Sequence, residues 1–245
     1  MKLNVESFKE FVKKATLNNS VDNIKMTFDK DIVKSGMRGT SCITVLNVEN
    51  DFITGVKGEH EFYFNAPFQG LIRYLDLIDE EECDLQVKDE KIVIKSGKQR
   101  SNIFFCAPSL ISAFDKAGPK DLGEQVAQFE LTDEFIEDFN KVKKVATNFG
   151  KVYFTVEGGK LYIETTDKTN KFTSGVRFEL MDCDFADCDL CVDFKNFNNL
   201  MVCLGEDYAD FTVTLKWIKG QGGLISIEKG ETEKYYLVTK REDTL

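Results

Sequence analysis

The chain has 245 residues, of which 42% are hydrophobic, and a formal net charge of −10 at pH 7. A chain of this length can bury one large core or two domains of roughly 100–150 residues each. No stretch approaches the roughly 20 apolar residues of a membrane helix, and the first residues lack the apolar run of a signal peptide. We therefore expect a cytoplasmic protein with no membrane partner. Its acidity argues against attraction of nucleic acid over the whole surface.

The first predicted element is an amphipathic helix at Val5–Leu17. Its apolar residues recur at the i, i+3, i+4 spacing of a buried helix face: Val5, Phe8, Phe11, Val12 and Ala15. Its lysines lie off that face at 100° per residue: Lys9, Lys13 and Lys14. Because Glu6 and Glu10 form no acidic first turn in this interpretation, the helix dipole does not by itself account for the lysines.

A second, shorter helix is predicted in "APFQGLIRYLDLI", with Phe68, Leu71, Ile72 and Leu75 inward. Arg73 lies on its polar side. Three strands separated by turns follow, in "DLQV", "IVIK" and "SNIFFCA". The single histidine, His60, falls in the strand-like "KGEHEFYF", so an exposed strand histidine is favoured over a catalytic base.

Residues Pro108–Gln125 contain two prolines and two glycines and break both periodicities. This composition predicts a connector between domains. The expected organisation is therefore an N-terminal domain at 1–107, a connector at 108–125 and a C-terminal domain at 126–245.

The second half repeats the order of the first. "FKEFVKKAT" at Phe8–Thr16 returns as "FNKVKKVAT" at Phe139–Thr147, inside a predicted helix at Thr132–Asn148. The apolar face of that helix carries Phe135, Phe139, Val142 and Ala146, and its opposite face carries Lys141 and Lys144. Acidic residues precede these lysines, an arrangement that the helix dipole favours without any ligand. A short helix "FKNFNNLMVCL" follows, with Phe197, Leu200, Met201 and Leu204 inward and Lys195 on its polar side, and a three-strand meander follows that helix.

Seven cysteines are an odd number in a chain large enough to fold without disulfides, which indicates free thiols in a reducing cytoplasm. Cys183, Cys188 and Cys191 have the C-x4-C-x2-C spacing of plant-type ferredoxins, with Cys203 as a possible fourth ligand. The flanking "DLCVDF" alternates as a strand, and its aspartates disfavour an anionic cluster, so we favour an acidic loop that enters a half-buried strand. No calcium loop, phosphate-binding loop or nucleophile motif is present. We expect no cofactor, no metal and no enzymatic activity.

Three stretches carry a resemblance to a known family: "RSNIFFCAP" at Arg100–Pro108, "KGQGGLISIEKGETEKYYLV" at Lys219–Val238, and the tail "KYYLVTKRED" at Lys234–Asp243. Together with the repeat, they resemble the DNA polymerase sliding clamps of the proliferating cell nuclear antigen type. The resemblance is closer to the processivity clamps of T-even-like bacteriophages, which would place the protein in viral DNA replication in the host cytoplasm.

The resemblance implies an α+β fold of two similar clamp domains, each with two helices on one side of antiparallel sheets. Six such domains close a ring, so a two-domain chain implies a homotrimer. The implied function is that of a processivity factor, which encircles double-stranded DNA without sequence preference and tethers DNA polymerase after a clamp-loader ATPase opens the ring.

The resemblance also assigns roles to residues. The residues expected to face DNA are Lys9, Lys13, Lys14, Arg73, Lys141, Lys144 and Lys195. The groove expected to take a partner peptide is formed by Leu110, Ile111, Phe114, Tyr236 and Val238. The edge strands expected to meet between subunits carry Phe104 and Phe105 on one side and Val176 and Phe178 on the other.

Two other interpretations remain open. The repeat would also suit an acidic β-rich interaction or virion protein that does not encircle DNA. A small enzyme whose site the sequence does not reveal is the other alternative.

Overall fold

A computed structural model describes residues 1–111, 113, 123–168, 174–218 and 222–239. The chain divides into two compact units. The first contains Met1–Ala117 together with Glu231–Glu233, and the second contains Gly118–Gly230 and Lys234–Leu245. The division between Ala117 and Gly118 falls inside the predicted connector 108–125.

Both units have the same order of elements: a strand, a long helix, a group of strands, a second helix and a final three-strand meander. The elements of the first unit are β1 Lys2–Asn4, α1 Val5–Ala15, β2 Asn23–Phe28, β3 Ile32–Arg38, β4 Cys42–Glu49, β5 Ile53–Thr54, β6 His60–Asn65, a π-helical turn Phe68–Ile72 that leads into α2 Arg73–Leu75, β7 Glu82–Lys88, β8 Lys91–Ser96 and β9 Gln99–Phe104. A 3-10 turn at Pro108–Leu110 follows β9. The predicted helix, short helix and meander of this half are all confirmed.

The second unit continues with β10 Glu124–Glu130, α3 Asp133–Phe149, β11 Lys151–Glu157, β12 Lys160–Thr165, β13 Val176–Asp182, β14 Cys188–Asp193, α4 Phe194–Leu204, a 3-10 turn Gly205–Asp210, β15 Thr212–Ile218, β16 Gly222–Lys229 and β17 Glu233–Val238. These bounds confirm both predicted helices and the second meander. In α4, Phe197, Leu200 and Leu204 are buried as predicted, whereas Met201 is half-buried and Cys203 is buried in addition.

Each unit places its helices on antiparallel sheets. In the first unit the strand orders are β5-β1-β7-β8-β9 and β4-β3-β2-β6; in the second they are β10-β15-β16-β17 and β13-β12-β11-β14. In both units the strands pair antiparallel, for example Phe154 opposite Ile163 and Arg177 opposite Glu164. The fold is therefore α+β with antiparallel sheets, as predicted.

Helix α1 packs its apolar face on the first unit's core. The rings of Phe8 and Phe11 lie 5.9 and 5.4 Å from the ring of Phe52. The side chain of Asn4 accepts a hydrogen bond from Ser7 N at the start of the helix, and the Thr44 hydroxyl donates to the Ala15 carbonyl at its end. Both ends of the helix thus have partners for backbone groups that a helix leaves unpaired.

Helices α3 and α4 share one aromatic core. The Phe197 ring on α4 contacts the Phe139 ring on α3 at 5.1 Å and the Phe154 ring on β11 at 5.6 Å, in both cases edge to face. Thr132 caps α3 by accepting a hydrogen bond from Phe135 N, and Gly150 ends the helix with a φ of 66° that favours glycine. The polar faces of the two helices are therefore held on the same side of one core.

A turn of three consecutive left-handed residues follows α1. Leu17, Asn18 and Asn19 have φ values of 47°, 46° and 70°, and none of them is glycine. Asn18 N donates to the Lys13 carbonyl, which ends the helix before the turn. The helix therefore stops two residues before the predicted end at Leu17.

Candidate functional site

Two of the lysines predicted to face DNA on α1 are neutralised within the protein. The Lys9 side chain is only 15% exposed, and its Nζ pairs with Asp76 at 2.9 Å and with Glu6 at 3.0 Å. Lys14 Nζ pairs with Glu233 at 3.0 Å, a carboxylate that is 9% exposed. The hydrogen bond to Asp76 raises the pKa of Lys9. Lys9 therefore ties α1 to the end of α2, and Lys13 beside it is half-buried.

The lysine at the corresponding place on α3 is also paired. Lys141 Nζ lies 2.7 Å from Asp138 and 5.2 Å from the centre of the Phe178 ring on β13. The hydrogen bond to Asp138 raises the pKa of Lys141. Lys141 thus links the polar face of α3 to a strand that the sequence assigned to the subunit interface.

Three of the other cations predicted to face DNA differ in their exposure and in their ion pairing. Arg73 on α2, Lys144 on α3 and Lys195 on α4 are exposed, and the described part of the chain supplies no ion-pair partner for any of them. A cation without a carboxylate partner binds a phosphate at a lower cost in free energy than a cation that must first leave a carboxylate. These residues are consequently the strongest candidates for contact with a polyanion.

The helix dipole favours the charges at both ends of α1, contrary to expectation, and the acidic first turn of α3, as expected. Because α1 begins at Val5, Glu6 lies in its first turn and Lys13 and Lys14 lie in its last turn, which is the arrangement the dipole favours. The expectation that α1 has no acidic first turn is therefore wrong. On α3 the last turn carries no basic residue, so Lys144 lies in the body of the helix and the dipole does not explain it.

The predicted subunit-interface strands are both sheet edges. Within the described chain, β9 pairs with β8 and ends one sheet of the first unit, and β13 pairs with β12 and ends one sheet of the second. Phe104 on β9 is 62% exposed, with Lys91 Nζ 4.8 Å from its ring centre. Val176 and Phe178 on β13 are half-buried. Each edge therefore offers backbone groups and apolar side chains to another strand.

Phe105 is half-buried and packs against the core of the first unit. Its ring stacks on Phe62 at 5.3 Å and lies 5.5 Å from the ring of Phe64. A change at Phe105 would remove core packing as well as any contact between subunits. Phe104 is consequently the residue of the predicted pair that can report on an interface alone.

Strand β13 is supported by a charged network that the sequence did not reveal. Arg177 Nε lies 2.5 Å from Glu164 on β12, and Lys168 Nζ lies 2.6 Å from the same carboxylate. Thr155 donates a hydrogen bond to Glu164, and Asp189 pairs with Lys168. The Glu164 side chain is only 6% exposed, so its charge depends on these partners. The sequence alone could not reveal this network, because Arg177 is seen to lie opposite Glu164 only when the β12–β13 register is known.

The residues predicted for the peptide groove differ in accessibility. Leu110 is 60% exposed and Val238 is 45% exposed, whereas Tyr236 is 6% exposed and Ile111 is half-buried. Phe114 lies outside the described residues. The exposed pair is therefore available to a partner, and Tyr236 is a buried side chain of β17.

The surroundings of the histidine and of the cysteines indicate a structural role for them. His60 lies in β6 as predicted, but it is half-buried with its ring 5.3 Å from Phe28. None of the seven cysteines forms a disulfide, and Cys188–Asp193 form β14 as the alternation predicted. Among the described residues, no group of His, Cys, Asp or Glu is arranged to hold a metal, and no helix is both long and apolar enough to cross a bilayer.

With its two repeated units of helices on antiparallel sheets, the chain has the sliding-clamp fold. The PCNA of A. fulgidus, in a structure with the C-terminal region of FEN-1 bound, matches with a TM-score of 0.67 and 13% identity over 100% of this chain and 98% of that chain. PCNA from Thermococcus kodakaraensis matches with a TM-score of 0.60 and 13% identity over 98% and 99%.

Bacterial clamps match as well. The DNA polymerase sliding clamp of Bacillus subtilis gives a TM-score of 0.68 and 9% identity, and the match covers 98% of this chain and 64% of that chain. No protein-family model matches the chain, and no curated protein matches it in sequence. The similarity is thus one of fold rather than of sequence.

The network around Glu164 predicts a pH-dependent stability. Burial alone would raise the pKa of Glu164, but hydrogen bonds from Arg177 and Lys168 outweigh it and hold the pKa below its ordinary value of 4.5. A depressed pKa contributes stability that is present above about pH 4.5 and is lost as pH falls through the folded-state pKa. Glu164→Gln should therefore lower the free energy of unfolding by about 1–3 kcal/mol at pH 7, and the difference should shrink at acidic pH.

Urea denaturation at pH 7, 5 and 3.5 measures this difference. The matched control is Glu157→Gln, which removes a 59% exposed partner of the same Arg177 and should cost less than about 1 kcal/mol. If the difference in the free energy of unfolding between wild type and Glu164→Gln stays constant down to pH 3.5, the assignment of a lowered pKa to Glu164 is contradicted.

Proposed function

We propose that the protein is a DNA sliding clamp: a homotrimeric ring that encircles duplex DNA and keeps a DNA polymerase at the primer terminus. The observation that carries the proposal is a set of exposed cations on helices α2, α3 and α4 for which the described residues supply no ion-pair partner, in a chain of net charge −10 with the sliding-clamp fold: Arg73, Lys144 and Lys195. Cations concentrated on the helices would let an acidic protein present a basic surface to DNA.

The mechanism follows from topology. A closed ring leaves DNA only by opening or by sliding off an end, so it raises the effective concentration of any enzyme bound to it. Contacts to phosphates need only be few and loose, since tight ones would oppose sliding. At physiological salt the Debye length is about 8 Å, so cations that line a channel act on DNA while carboxylates on a distant surface are largely screened. No chemical step and no base readout are required, and a clamp-loader ATPase would open the ring.

Ring closure is proposed to join β9 of one protomer to β13 of the next. Among the described residues both strands end their sheets, and each carries apolar side chains beside that edge. With three two-domain chains, such pairing would close a six-domain ring. The docking of polymerase is proposed away from the channel, because DNA would occupy the channel, and the exposed candidates for it are Leu110 in the first unit and Val238 in the second.

The first prediction from this proposed function concerns the trimer. Sedimentation velocity of the wild type at tens of micromolar should give a particle of three times the 27.9 kDa chain mass. Phe104→Asp should leave folded monomers, because it puts a carboxylate on the pairing edge. Leu77→Asp is the matched control, since Leu77 is equally exposed at 62% but lies outside the edge strands. A monomeric wild type, or a Phe104→Asp trimer, would refute edge pairing.

The second prediction concerns DNA. Replacing Arg73, Lys144 and Lys195 by alanine should leave stability within about 0.5 kcal/mol per site while weakening binding to duplexes of any sequence. The slope of log affinity against log salt should fall by about one for each residue that contacts a phosphate. Fluorescence anisotropy with two duplexes of unrelated sequence measures both quantities.

The control for DNA binding is the triple variant Lys30→Ala, Lys57→Ala and Lys98→Ala, which changes net charge equally at exposed lysines outside the helices. It should keep the wild-type slope. The assignment fails if both triple variants behave alike.

The third prediction concerns partner docking. A peptide from the C-terminus of the cognate polymerase should bind the wild type with micromolar affinity, and Val238→Asp should weaken it at least about tenfold by placing a charge among apolar anchors. Val238 is preferred to Tyr236 because a change at the buried Tyr236 would also alter β17. Calorimetry measures the affinity, and Leu77→Asp is the control. Equal affinities for wild type and Val238→Asp would move the docking surface elsewhere.

A further inference from the structure

The exposed face of β9 is basic. Arg100, Asn102 and Phe104 are exposed and alternate with buried residues, so they share one face of the strand. On β8, Lys95 lies opposite Arg100, and Lys91 lies opposite Phe104. Opposite residues of an antiparallel pair share a face, so these lysines belong to the same surface. In the part of the chain that the structure describes, Arg100 has no ion-pair partner.

The exposed face of β13 carries two carboxylates because the strand is irregular. A register shift against β12 leaves Leu180 without an opposite residue, which is a β-bulge. Strand alternation alone would put Glu179 and Asp182 on opposite faces. The bulge brings both carboxylates to one face, and both residues are exposed.

The cations around β13 are already paired within their own unit. Arg177 Nε lies 2.5 Å from Glu164, and Lys160 Nζ lies 2.5 Å from Glu179. Asp182 has no ion-pair partner among the described residues. The second half of β13 therefore presents an excess of negative charge.

The positions of these charges along the two strands favour one orientation of pairing. Lys95 and Arg100 lie beside the start of β9, whereas Glu179 and Asp182 lie towards the end of β13. Two paired strands bring the start of one to the end of the other only when they are antiparallel. A parallel pair would bring Arg100 towards Arg177 and separate it from the carboxylates.

We propose, on the basis of the ring closure proposed above, that charge selects how the subunits join: Arg100 on β9 of one protomer lies opposite Glu179 on β13 of its partner, in an antiparallel pair. The same register sets Asn102 opposite Arg177, with Phe104 within diagonal reach of that guanidinium. Arg100 contributes most of the attraction, because Lys95 also faces Asp84 on β7.

The same charges oppose the wrong contacts between copies. Two β9 edges would set their Arg100 side chains near each other, and two β13 edges would set Glu179 and Asp182 near the same carboxylates of the other copy. Like charges across a strand pair are destabilising. The occupant that fits the basic edge is therefore the acidic edge of a second copy, and each edge rejects its own kind.

The test reverses the charges on the full chain and measures assembly by sedimentation velocity over a range of concentrations. Arg100→Glu or Glu179→Arg should weaken each junction about fivefold, because it replaces attraction by repulsion. A closed trimer has three junctions, so the concentration at half assembly should rise about tenfold if their effects add. This difference from the wild type should shrink as salt rises.

The double variant Arg100→Glu, Glu179→Arg is the decisive sample. Every junction again joins opposite charges, so assembly should return towards that of the wild type. Lys57→Glu and Asp51→Arg make the same changes of charge at exposed residues outside the edge strands and should leave assembly unchanged. Urea denaturation of each variant should give a midpoint close to that of the wild type, because the substituted side chains are exposed.

The wild type separates this inference from the proposed ring. A wild type that stays monomeric overturns both. A wild-type trimer that Arg100→Glu and Glu179→Arg leave unchanged overturns the charge selection alone, and pairing of the edges through Phe104 would stand. A double variant that assembles no better than the single variants, or control variants that weaken assembly equally, would overturn the charge selection as well.

Discussion

An amphipathic helix laid on a sheet has one face inside and one face in water, and the organisation of this protein depends on that division. In each unit the apolar face of a long helix covers the core, so its polar face is turned outward by packing rather than by any ligand. The Phe139–Phe197–Phe154 contacts do this for α3 and α4 together. The position of every cation on these helices is thus a consequence of how phenylalanines pack beneath them.

The same division explains which parts of the fold the sequence predicts. Helices α1 and α3 carry strong apolar periodicity, so their existence and inward faces follow from the chain alone. The meanders follow from alternation and turn residues. The stretch Thr16–Ser41 was different, because the left-handed residues Leu17, Asn18 and Asn19 stand near its start in place of the glycine that usually marks such a turn. No local signal there fixes how β2 and β3 pair.

Site residues were harder to predict than elements because exposure and pairing depend on neighbours that are distant in sequence. Lys9 lies off the apolar face of α1 as the periodicity requires, yet Asp76 comes close enough to neutralise it. Phe104 and Phe105 are adjacent in the chain, but the Phe104 ring is exposed whereas the half-buried Phe105 ring stacks on Phe62. Helical periodicity shows which side of a helix a residue occupies; it does not show what the rest of the fold places there.

The two open edges β9 and β13 differ in sequence, and this difference constrains the symmetry of any self-association. A contact between unlike surfaces is heterologous, so each added copy leaves the same pair of surfaces free at its ends. Such a series terminates only when the rotation from one copy to the next divides a full turn; otherwise it grows into an open helical filament. The chemistry of the edges determines how tightly copies hold one another, and the angle between copies determines how many there are. The balance of closed rings and filaments among edge variants would therefore measure an angle rather than an affinity.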